Sequence, residues 1–152
     1  MSELTWKELN SQQQIDEFME NMDYFHDGCI KELRFVSGAY VNVDLSMMPV
    51  NTCRTVYLVI QRQYEDPSAV EIRFEGVEWL SLKPANEKYT CEIFGAHMCI
   101  EGDMIVWFDS DNFKESYTEL YKEDVTLVKA HKVYWREADE LLGEEPVYGI
   151  VR

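Results

Sequence analysis

The chain is poor in basic residues. Its 14 lysines and arginines stand against 29 aspartates and glutamates, for a net charge of −15. A field of that sign repels phosphate backbones and anionic membrane surfaces, which argues against nucleic-acid and membrane partners and favours a basic protein. Histidine is scarce, at 3 residues, and the 4 cysteines (Cys29, Cys53, Cys91 and Cys99) form no C-x-x-C. Neither a zinc knuckle nor a redox motif is therefore indicated. No apolar run approaches the ~18–20 residues of a spanning helix. The opening MSELTWKELNSQQQ lacks a basic region followed by an apolar one, so no signal peptide is expected and a cytoplasmic setting is. The cysteines are then expected to be free thiols. Walker, dinucleotide and G-x-S-x-G motifs are missing, and no cofactor is indicated. Repeats and Gly/Ser linkers are missing too, so residues 1–152 read as a single domain, helical over 4–22 and β-rich over 28–152.

What the chain has is apolar and aromatic content, 46% and 13% over 152 residues. That suits one well-filled core and favours strands. The acids are evenly spread: residues 1–76 hold 13 acidic and 6 basic side chains, residues 77–152 hold 16 and 8. No acidic tail hangs on a neutral body.

Two capping-box spacings open the chain. In LTWKEL, Thr5 and Glu8 predict a helical turn stapled by Leu4 and Leu9. In SQQQIDEFMENM, Ser11 and Gln14 predict a second start. Ile15, Phe18, Met19 and Met22 then follow at i, i+3, i+4 and i+7, the stripe of a helix lying on a sheet. After Met22 the period changes. AVEIRFEGV alternates as a half-exposed strand, RTVYLVIQRQ as one covered on both faces, and the linker YEDPS between them predicts a hairpin. YTCEIFGAHMCI and MIVWFDS flank Glu101, Gly102 and Asp103, a second hairpin. In its first run, Cys91 and Cys99 are expected on one face, too far apart to pair. CIKELRFVSG is expected to be the first strand, with a bulge where its polar residues break step. GAYVNVDL extends or pairs with it, VTLVKAHKVYWRE is the last long strand, and VYGIVR is an edge candidate. The expected architecture is α+β, mainly β: an N-terminal helix packed on a mostly antiparallel curled sheet or sandwich of about seven to eight strands.

The segment DYFHDGCIKELRF holds the chain's only His-Asp pair, His26 and Asp27. The phosphohydrolases that use such a pair add further histidines on helices. Here His97 and His131 fall in strands, so the pair reads first as a joint between helix and strand. Asp27 is expected to cap that turn and Gly28 to take positive φ. A metal site from His26, Asp27, His97 and His131 is the sharper alternative, since these side chains carry suitable donor atoms. DSDNFKES, residues 109–116, starts like a calcium loop but has Lys114 and Leu120 where the loop needs glycine and glutamate. Residues 101–124 hold eight acids against Lys114 and Lys122. Among them, Asp109, Asp111 and Glu115, with Tyr117 and Tyr121, make a candidate surface for gripping a basic protein.

YFHDGCIKEL, followed by a strand-rich body with IRFEGVEWL, resembles small bacterial families of unknown function. Their members open with an aromatic-His-Asp motif before the first strand and carry a later F-x-G-V element, here residues 74–77. Some proteins of that kind look like immunity proteins of polymorphic toxin systems. The resemblance spans about residues 24–110. It implies a β-rich bacterial domain, immunity-like, with His26 and Asp27 as the motif positions. The leading expectation is a non-enzymatic protein-binding domain engaging a basic partner. The alternatives are a metal-dependent enzyme centred on His26 and Asp27, and a domain that oligomerises through an edge strand.

Overall fold

The computed structural model of the protein describes residues 5–49, 53–110 and 125–148. It is mostly β, built on one antiparallel curled sheet. The chain runs through β1 (Lys7–Glu8), α1 (Gln12–Asn21), a single turn at Asp23–Phe25, β2 (Gly28–Val36), β3 (Tyr40–Val41), β4 (Met47–Met48), β5 (Thr55–Arg62), β6 (Ala69–Ser81), β7 (Glu92–Ile93), β8 (His97–Glu101), β9 (Met104–Phe108) and β10 (Leu127–Glu137). The sheet order is β7-β2-β5-β6-β10-β9-β8, with β1 also pairing β10, while β3 and β4 form a separate two-stranded ribbon.

Both expected hairpins form. β5 and β6 pair from Val56 opposite Phe74 to Gln61 opposite Ala69. β8 and β9 pair from His97 opposite Phe108 to Glu101 opposite Met104. That leaves Gly102 and Asp103 as the loop, and Gly102 takes φ 64° in open space. A two-residue loop of this hand wants glycine first, because its twist matches that of the strands. The irregular pattern of β2 is a bulge at Lys31: Ile30 faces Ile60, yet Glu32 already faces Val59. A second register shift lets β6 slip past β10 between Lys129 opposite Trp79 and Ala130 opposite Val77.

A large apolar cluster forms the main core. Val56, Leu58 and Ile60 from β5 meet Val70, Ile72 and Phe74 from β6, with Ile15, Phe18 and Met19 from α1 in the same cluster. The Phe18 ring lies 4.8 Å from that of Trp135. Ser11 caps α1 by accepting from the Gln14 backbone N–H at 3.2 Å. Gln14 answers through Oε1, which accepts the N–H of Asn10 at 2.9 Å.

Two expectations change. Lys7 and Glu8 form a strand against Trp135 and Tyr134, not a helical turn. Tertiary contacts outweigh the capping signal there: the Leu9 N–H donates to Val133 O at 2.9 Å, and the Trp6 ring sits 4.5 Å from the Arg73 guanidinium. The run YTCEIFGAHMCI is not one strand. Glu92 and Ile93 pair with β2, residues 94–96 leave the ladder, and the chain re-enters as β8. Cys91 and Cys99 therefore share no strand. Of the edge candidate VYGIVR, residues 149–152 lie outside the described residues; the two described ones, Val147 and Tyr148, are not in a strand, and Tyr148 anchors its N–H on Glu32 Oε2 at 2.7 Å.

Candidate protein-binding surface

A short loop suffices to join two antiparallel neighbours, yet residues 37–54 intervene between β2 and β5, which meet at Val36 opposite Thr55. Hairpin loops usually take ~2–5 residues, and longer excursions are commonly functional. This one carries the β3–β4 ribbon, with Tyr40 opposite Met48 and Val41 opposite Met47. Its tip is ordered by its own polar groups. The Asn42 N–H donates to Ser46 O at 2.8 Å and the Leu45 N–H to Asn42 O at 2.9 Å. Ser46 sends both its N–H and its hydroxyl to Asp44 Oδ1, at 2.9 and 2.6 Å. Those bonds, the hydroxyl first, hold the Asp44 carboxyl below its usual range.

The apolar side chains of this arm face water. Val43 is 105% exposed and Leu45 83%, and Tyr40, Val41, Met47 and Met48 are exposed as well. Phe35 and Val36, at the end of β2, continue the exposed run. Burying one such side chain gives about 1.5–3 kcal/mol. This short ribbon, whose two strands pair over only two residues each, leaves that burial unrealised among the described residues. Sequence reasoning did not find the arm. Val41, Val43 and Leu45 alternate with Asn42, Asp44 and Ser46, the pattern of a half-buried strand. What sets it apart is the absence of a covering layer among the described residues, which the pattern does not encode.

The His-Asp corner is built differently from the expected turn. Asp23, Tyr24 and Phe25 take φ values of 50°, 54° and 58°, and Asp27 takes 63°. Three successive left-handed residues without glycine are costly, so their neighbours must hold them. Phe25 is fully buried and packs on Phe18 at 5.8 Å. Three bonds then fasten the corner to residues 93–96. The Asp27 N–H donates to Ile93 O at 3.0 Å, the Ala96 N–H donates to Tyr24 O at 2.8 Å, and His26 Nδ1 donates to Phe94 O at 2.8 Å. Gly28 is not the positive-φ residue. It is needed for room, because a Cβ there would meet Gln61 O and Phe25 O at 3.0 Å. Asp27 does not cap the turn through its carboxylate either, whose partners are Tyr64 Oη at 3.4 Å and His26 Nε2 at 3.6 Å.

With Nδ1 committed as donor to a carbonyl, the neutral His26 ring turns its Nε2 lone pair toward the Asp27 carboxylate. Protonation relieves that opposition. The His26 pKa is accordingly raised, by the Phe94 carbonyl first and Asp27 second. An open cavity of about 710 Å³ borders the corner, lined by Asp27, Cys29, Arg62, Cys91 and Glu92 among others. Arg62 is spent on structure: it donates to Pro67 O at 2.6 Å and Met22 O at 3.3 Å.

The three histidines keep separate company. His97 makes tilted ring contacts with Tyr24 at 5.5 Å and Phe108 at 5.7 Å. His131 meets Glu78 at 3.1 Å and Asp103 at 4.0 Å. Among the described residues no group of three or more His, Cys, Asp or Glu side chains is arranged to hold a metal ion. Of the acidic-aromatic candidates, Asp109 follows β9 and donates its N–H to Thr126 O at 2.9 Å. Asp111, Glu115, Tyr117 and Tyr121 lie outside the described residues. No helix among the described residues is long and apolar enough to cross a membrane. Compared with known proteins, the chain matches no family model, no curated protein and no solved structure.

Proposed function

We propose that the protein is a non-enzymatic binding domain that inserts its arm, residues 35–48, into an apolar groove on a basic protein. The carrying observation is the locally ordered β3–β4 ribbon with six exposed apolar side chains, Tyr40, Val41, Val43, Leu45, Met47 and Met48. Charge selects the partner. Two copies of this chain would bring together two bodies of net charge −15, which disfavours self-association and favours a cationic surface around the groove. The acid-rich stretch 101–124 adds to the steering field. The immunity-type reading, in which the partner is a basic toxin, is the specific form of this proposal suggested by the resemblance at residues 24–33 and 74–77. A cytoplasmic setting goes with it.

A photo-crosslinking amino acid at position 43, in protein expressed in its native host, tests the proposal. The expected result is a crosslink to a basic protein of a different sequence, lost when Leu45→Ser is added and weakened by salt. A crosslink to a second copy of the chain, or to an acidic protein, contradicts it.

A further inference from the structure

Two cysteines that the sequence separates widely are brought together at the sheet edge. The β2–β7 ladder sets Gly28 opposite Ile93 and Cys29 opposite Glu92. Cys91 is the next residue along that edge. Cys91 lies in a bend just before the strand Glu92–Ile93 and so outside the ladder's alternation of faces, and its thiol is within hydrogen-bonding reach of the Cys29 thiol, the closeness a disulfide requires. Both thiols line the same open cavity, Cys91 exposed and Cys29 half-buried. Burial first and the adjacent Cys91 second keep Cys29 protonated above the ordinary thiol range. Cys53 lies instead beside Thr55, at 3.6 Å, and Cys99 sits on β8 opposite Val106.

We propose that Cys29 and Cys91 are a redox pair that closes into a reversible cross-strand disulfide under hydrogen peroxide. Cys91, the accessible thiol, reacts first. Its sulfur attacks one peroxide oxygen, the O–O bond breaks, and the departing hydroxide leaves as water with the thiol proton. Cys91 is then a sulfenic acid. The Cys29 sulfur attacks that sulfur, the S–O bond breaks, and hydroxide leaves with the Cys29 proton as a second water. Two thiols lose two electrons in total, and the peroxide becomes two waters. A dithiol reductant restores the pair. The bond fastens β7, which spans only Glu92–Ile93, to β2. It thereby stiffens the segment whose Ile93 and Phe94 carbonyls hold Asp27 and His26.

The test treats the folded full chain with hydrogen peroxide, alkylates the remaining thiols and digests with a glutamate-specific protease. Cleavage after Glu87, Glu92 and Glu101 separates Cys91 from Cys99. The expected product is peptide 21–32 linked to peptide 88–92, reversed by dithiothreitol, with Cys53 and Cys99 alkylated. Cys29→Ser should leave Cys91 as a sulfenic acid that dimedone traps. The Cys53→Ser/Cys99→Ser variant should form the link as wild type does. Cys91 over-oxidised with no link in that double variant, or a disulfide joining any other pair in the wild type, overturns the proposal.

Discussion

The Nδ1–H of His26 donates to the Phe94 carbonyl at 2.8 Å, joining segments 68 residues apart in the chain. This bond gives the His-Asp pair a structural role. It fixes the tautomer, aims Nε2 at Asp27 and ties the left-handed turn before β2 to the strand-end segment beside it. The raised His26 pKa carries a definite sign. A histidine whose pKa rises on folding adds stability in full below its unfolded value near 6.5, and loses it as pH climbs through the folded value. By proton NMR, His26 should titrate above the unfolded midpoint, and Asp27→Asn should bring that midpoint down. An unmoved His26 midpoint in Asp27→Asn counts against this account of the corner.

Gly28 sits where backbone crowds it from two sides, with Gln61 O and Phe25 O each 3.0 Å from the site of a Cβ. Neither carbonyl can swing aside as a side-chain tip could. Gly28→Ala should cost about 1–3 kcal/mol by urea denaturation. A neutral result would show that β2 and the corner can shift to make room.

Arg136 is a demanding charge among the described residues. Its guanidinium is buried, with Nε on Glu71 Oε1 at 2.8 Å and Nη1 bonded to Glu140. Burial, which alone lowers its pKa, is outweighed by those carboxylates, so the net shift is upward. Arg136→Leu leaves the half-buried Glu71 without its cation and should cost about 3–5 kcal/mol. Adding Glu71→Leu should recover part of the loss, a coupling that a double-mutant cycle in urea would measure.

Much of the fold was legible in the sequence because its signals are local. The Ser11–Gln14 cap, the stripe from Ile15 to Met22, the alternation through Phe74 and the glycine-led loop at Gly102 each report a short stretch of backbone. The misread places are those where distant residues decide. Lys7 and Glu8 are drawn into a strand by β10, and the run around Cys91 is broken because Glu92 and Ile93 pair with β2. The candidate surface was less legible still. A valine at position 43 looks the same in a sequence whether its neighbours cover it or leave it bare. The His-Asp joint was anticipated, but Gly28 serves it by close approach and Asp27 by its own backbone conformation.

The acidic field makes a kinetic prediction. Replacing Asp109, Asp111 and Glu115 with Asn, Asn and Gln should slow association with the partner and flatten its salt dependence, with dissociation changing less. Stopped-flow mixing across ionic strengths separates the two rates. An unchanged salt slope would assign these acids to solubility alone.

The most direct measurement is the affinity of the crosslinked partner, once purified, for wild type and for Val43→Ser/Leu45→Ser, by calorimetry. Both side chains are exposed in the free protein, so the variant should melt within about 0.5 kcal/mol of wild type. If the arm inserts into an apolar groove, each serine forfeits about 1.5–3 kcal/mol of burial, and affinity should fall at least ~100-fold. Equal affinity of the variant and wild type would contradict the arm as the docking element.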